Sequence, residues 1–266
     1  MIVGVAALAA CSDLETVEVF YPDGTIKEKG TLRTGPDGKK LRYGKWTTFH
    51  SDGNIHLEGY YRDNLLDGRM FEYTSNGQTV AQRQYNLGKR HGKHELWFKN
   101  GRPREIVTYL NDRPHGRMRT WYETGFQRKD ETYENGVLDG VSVEYYDNGR
   151  IMRRVVYRAG KCEGENFLYS KKGVLINRNT CKNGKIDGIQ YVYHTNGSTL
   201  SIQQFQDGQQ SGDKSLYYRS GELLARFTFK DDKETQRICY SKQGEVVSCK
   251  EFSQTKGWTR QESVDE

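Results

Sequence analysis

Five cysteines and six histidines are the residues of this chain whose types could do specific chemistry. Cys239 and Cys249 lie five residues on either side of Gly244, so a hairpin turning there would set them nearly opposite. Cys162 and Cys181 flank Lys172-Gly173 and fall within about one residue of cross-strand register. Four thiols allow three pairings. The two local ones are expected, with buried unpaired thiols as the alternative, and zinc would need closer Cys-x-x-Cys spacing. His91 and His115 each precede a glycine, where equivalent places hold Asp67, Asp139 and Asp187, which reads as a turn-stabilising position. His91 and His94 form H-x-x-H on an expected strand, where residues three apart point to opposite faces, so they make a poor metal pair. A phospholipase D-type H-x-K-x-x-x-x-D motif fails from His91-Gly92-Lys93, because Phe98 stands where Asp is required. G-x-S-x-G elbows, Walker loops and dinucleotide-binding fingerprints are absent, and no acidic pair stands out. The expectation is a protein with no catalytic residue, metal ligand or cofactor.

The elements that hold these residues follow one beat. A glycine recurs every 24 residues, at 53, 77, 101, 125, 149, 173, 197 and 221. A second glycine column runs through 44, 68, 92, 116, 140, 164, 188 and 212, and each is followed five residues later by Phe, Tyr or Trp. Aromatics are only 12% of the chain, too few to fill eight places out of eight by composition. This is a repeat array. Within Gly140–Asp147, Val143 and Tyr145 are apolar while Ser142 and Glu144 alternate with them, the period of a strand. Asp147-Asn148-Gly149 is a hairpin signal, because Asn-Gly accepts the positive φ angles that match strand twist. The returning strand ends on Tyr61, Tyr85, Tyr109, Tyr133, Tyr157, Cys181, Phe205 and Phe229, and a polar bend such as residues 134–140 leads to the next hairpin. Both aromatic columns are expected to form the core. The fold class is all-β: an elongated, twisted, single-layer antiparallel β-meander of 24-residue hairpins. It would have roughly twenty strands and a length on the order of 90 Å at about 4.8 Å per strand.

Composition agrees. Hydrophobic residues make up 34%, too few for a thick two-layer core, and 29 glycines against four prolines favour turns and half-buried strands. The net charge of +6 comes from 41 basic and 35 acidic residues spread along the length. That suits solubility or an acidic partner, and is too diffuse for a nucleic-acid footprint.

The N-terminus differs from everything after it. M-I-V-G-V-A-A-L-A-A-C is apolar and uncharged, yet about ten residues cannot span a bilayer. Leu8-Ala9-Ala10-Cys11 resembles the lipobox of bacterial lipoproteins. The resemblance implies that residues 1–10 are a signal peptide and that Cys11 is the lipidated first residue of the mature protein. Ser12 after it implies sorting to the outer membrane on the periplasmic side. Several acyl chains on one cysteine suffice for stable anchoring. Residues 11–17 are then a tether, 18–250 the array and 251–266 a C-terminal cap and tail. With Cys11 lipidated, an even number of cysteines remains in an exported chain, which favours disulfides.

The pattern Y-x-N-G … Y-x-N-G-x-x-D-G resembles the variant MORN repeat over about residues 18–250. Bacterial lipoproteins built from such repeats resemble antitoxins, some of them immunity proteins against phospholipase effectors. The resemblance implies a periplasmic module that binds and neutralises a toxic effector protein. The alternative is an envelope scaffold binding lipid or peptidoglycan. Partner contacts would fall where the repeat consensus breaks, with Arg113, Arg117, Arg119, Arg128, Arg153 and Arg154 as the residues chosen.

Overall fold

The computed structural model describes residues 14–250, so Cys11, the signal segment and the tail lie outside the described residues. Among the described residues the chain is all-β: 25 strands of an open antiparallel sheet in meander order, with no α-helix. Two compact units divide after Gly125. In the first, the strands run from Leu14–Phe20 to Gly116–Trp121; in the second, from Gln127–Glu134 to Val246–Val247. Rejoined across five interruptions, such as Val137–Leu138 and Gly140–Tyr145, the strands number twenty. Each interruption precedes a glycine of the second column, such as Gly140 at φ 118°, where the chain bulges before resuming the ladder.

Both connections of each repeat are tight turns, and they differ in kind. After the returning strand Ile151–Arg158, Ala159 and Gly160 both take positive φ, 47° and 77°, in a two-residue turn. Asn135-Gly136 and Asn183-Gly184 do the same. These are the primed turns, so the stretch expected to be a polar bend is itself a hairpin. At Asp147-Asn148-Gly149 only the glycine is positive. There Gly149 N–H donates to Tyr146 O at 3.0 Å and Tyr146 N–H to Arg150 O at 2.8 Å. The ladder shifts register between Glu144 and Tyr145, marking a glycine bulge instead of the expected primed turn.

The core also differs from expectation. Gly140 faces Tyr157 and Ser142 faces Val155 across the ladder. Ser142 is 5% exposed and Val155 2%, whereas Val143 and Tyr145 are half-buried, so the polar parity of that strand is the buried one. The cause is visible at the equivalent His94, whose ring lies between Tyr85 and Tyr109, with centroids at 5.6 and 4.7 Å. A glycine opposite each returning-strand aromatic leaves its ring room to lie over this position. The outgoing-strand aromatics are half-buried on the opposite parity, and the returning-strand aromatics are half-buried covers, apart from the buried Cys181. Beneath them lies a row that mixes apolar and polar side chains: Trp46, Met70, Ala81, His94 and Val107 in the first unit, Glu131, Ser142, Val155, Asn166 and Gln203 in the second.

Candidate functional site

Neighbouring repeats are stitched at both ends of their strands. At the bulged tips, Asn148 accepts Arg150 N–H at 3.1 Å and donates to Lys171 O at 3.0 Å, on the next tip. Asn100 and Asn196 repeat this, reaching Glu123 O and Arg219 O. Tyr146 OH donates to Tyr169 O at 2.8 Å, and Tyr218 OH to Tyr240 O at 3.1 Å. At the opposite ends, Asp139, Glu163 and Asp187 accept the N–H of Ala159, Asn183 and Asp207, each 20 residues on. His91 and His115 stand in that same column, and each donates its backbone N–H to the preceding strand, at Gln84 O and Thr108 O. The acidic side chains of the column are structural.

His94 Nε2 lies 2.8 Å from Gln84 O, the carbonyl that His91 N–H also reaches. Burial pushes the His94 imidazole below its ordinary range, and Arg83 and Arg90 push the same way, against the pull of Gln84 O and Asp112. Lys214 is displaced downward as well: burial holds its amine below the usual lysine range, opposed by Glu234. Its Nζ lies 5.9 Å from the Phe227 ring centroid. Among the described residues no cluster of His, Cys, Asp and Glu could hold a metal ion.

Cys162 and Cys181 are joined by a disulfide with Cα atoms 5.6 Å apart, and Cys239 and Cys249 by another at 5.4 Å. The second bond closes on the one cluster of buried apolar side chains among the described residues, Leu216, Leu224, Ala225 and Cys239. Three of the six chosen arginines, Arg113, Arg117 and Arg119, fall in the first unit and three in the second. Arg119 faces Ile106 across the ladder, with its guanidinium 5.6 Å from the Trp121 ring. Arg153 faces Glu144 while Arg154 faces Val143, so these consecutive residues project to opposite faces. The six do not make one patch.

Three pairs of cations escape a reading of the sequence alone. Arg158 sits directly opposite Lys161, Lys182 opposite Lys185 and Lys230 opposite Lys233, each pair across a primed turn. R-A-G-K and K-N-G-K carry the signal, since a two-residue turn sets its flanking residues face to face. It stays hidden as long as that stretch reads as a polar bend.

An antiparallel array of stitched hairpins, presenting side chains at turn edges and on strand faces, defines the class: a β repeat protein suited to binding. The family model for the MORN repeat variant matches residues 42–63 and 138–159, two of the repeats. The match points to a repeat protein involved in binding. No curated protein matches the chain. Among solved structures, a crystal structure of TcdB2-TccC3-Cdc42 is 14% identical, over 87% of this chain and 13% of that one, with a TM-score of 0.20. One of TcdB2-TccC3 is 10% identical, over 85% and 14%, again with a TM-score of 0.20. The chain thus spans a small fraction of those matched chains, and overlap at that level defines no common fold.

Proposed function

We propose that this protein is an immunity protein, which binds a secreted toxic effector in the periplasm and neutralises it. The MORN repeat variant match at two repeats, within a continuous run of hairpins, is the observation that carries this reading. Such an array offers strand faces and turn edges repeated every 24 residues, ample for an interface of about 1,600 Å² in total. The resemblance of Leu8–Cys11 to a lipobox supports anchoring at the outer membrane, where an incoming effector would meet it. The effector class this type of repeat lipoprotein implies is a phospholipase. Neutralisation would work by covering the effector's active site, with no catalysis by this chain. A fold alone does not fix a role, so growth and co-purification decide it.

The test is co-expression with the product of the adjacent reading frame, directed to the periplasm. Three forms are compared: exported, signal-less, and exported with Arg117→Glu and Arg119→Glu. Growth should be restored by the first, not by the second, and less by the third. If the exported form neither restores growth nor co-purifies with the effector, the immunity reading falls and the envelope-scaffold reading replaces it.

A further inference from the structure

We infer that the turn edge of the second unit carrying Arg158, Lys161, Lys182 and Lys185 is a docking strip for an acidic segment of a protein partner. The inference deepens the binding reading above and rests on it. Like charges directly opposite on a ladder repel, yet here two successive turns each set one cation against another. All four side chains are exposed. Elsewhere in the same unit Lys171 meets Asp147 at 2.8 Å and Arg178 meets Glu165 at 2.5 Å. Among the described residues, none of the four strip cations has such an ion pair. The carboxylates within the strip accept from the turn backbone and form no ion pair with the four cations: Asp139 accepts Ala159 N–H at 3.2 Å, and Glu163 accepts Asn183 N–H at 2.9 Å.

The strip is also held in place. The Lys161 side chain starts beside the turn at Gly184, and that of Lys185 beside Gly208; a Cβ on either glycine would lie 3.5 Å from the lysine's own Cβ. The disulfide joins Cys162, next to Lys161, to Cys181, next to Lys182. A covalent bond therefore ties together the two strand ends that the four charges would drive apart. Like charges set opposite one another and held by a staple are an arrangement a partner of opposite sign relieves, and such charges steer association.

The pattern favours discrete carboxylates over a uniform anionic plane. Successive turns are two strands apart, about 10 Å. The next turn along has Gln206 opposite Gln209, with Asp207 between them, and the one after it sets Lys230 opposite Lys233 around Asp231-Asp232, so the run of cation pairs without an aspartate in the turn is two turns long.

The test uses the purified, disulfide-intact protein and a labelled 20-residue poly-glutamate peptide. Arg158→Gln, Lys161→Gln, Lys182→Gln and Lys185→Gln together should weaken binding about tenfold, as should raising the salt from low to high. A control set in the same unit, Lys171→Gln, Lys172→Gln, Arg226→Gln and Lys242→Gln, should leave affinity within about twofold, because it removes equal charge away from the strip. Equal losses in the two sets would overturn the assignment. So would binding to anionic phospholipid vesicles without binding to the peptide. In the co-expression assay, full rescue by the strip variant would remove the strip and leave the immunity reading standing. Peptide binding through the strip without effector rescue would remove only the immunity reading.

Discussion

At the scale of single residues, His94 is where the array departs furthest from a simple apolar core. The same column holds Trp46, Met70, Ser142 and Asn166, so the fold asks for a side chain that fits between two aromatic rings and does not require it to be apolar. His94 meets that demand as a neutral imidazole. Its pKa is lowered in the folded chain, so below the unfolded value of about 6.5 the unfolded chain takes up the proton more readily. Stability from this group is complete above that pH and is lost as the pH falls from there through the folded value. Urea unfolding at pH 7.5 and pH 5.0 should therefore show a drop in stability that His94→Gln reduces. Parallel drops in the two proteins would rule His94 out as the source.

At the scale of the hairpin, the two turns divide the work. The bulged tip needs one left-handed residue and supplies Gly149; the primed turn needs two and supplies Asn135-Gly136, Asn183-Gly184 or, less comfortably, Ala159-Gly160. Alanine in the left-handed region costs about 1 kcal/mol more than asparagine, which bonds locally there. Ala159→Asn should accordingly stabilise the protein by roughly 0.5–1 kcal/mol, read as a higher urea midpoint at unchanged slope. An unchanged or lower midpoint would mean that the turn strain is relieved by neighbours. This division also explains what the sequence could and could not tell. Glycine and aromatic periodicity placed every strand in order, because a strand's ends and faces recur with the repeat. Asn-Gly occurs at both turns, so the dipeptide could not say which one was primed; only the φ of Asn135 against that of Asn148 separates them. With the primed turn misplaced, the cation pairs beside it go unseen. The buried parity is hard to read for a related reason. His94 is covered by rings from its own and the preceding repeat, and that cover depends on pairing between strands, which residue type in one strand does not reveal.

At the scale of the whole molecule, the repeat is the unit of structure. Stitches at both strand ends recur 20–24 residues apart, from Ala159 N–H back to Asp139 and from Asn148 forward to Lys171. Removing one full period preserves strand direction, facing and stitching; removing half a period reverses them. Excision of residues 188–211 from the second unit should leave a soluble protein that keeps its strand signature in circular dichroism and unfolds cooperatively. Excision of residues 188–199 should give aggregation or rapid proteolysis. If the shorter deletion folds as well as the longer, the repeat is not the independent unit described. The spacing of the stitches has one more consequence. Arg33 reaches Asp63, 30 residues on, and the stitches at Tyr21, Asn148 and Asp139 span less. A chain delivered end first, from a ribosome or through a translocon, could zip up behind its own leading end. Each hairpin would lock on the one already out, and little unpaired strand would wait for a distant mate.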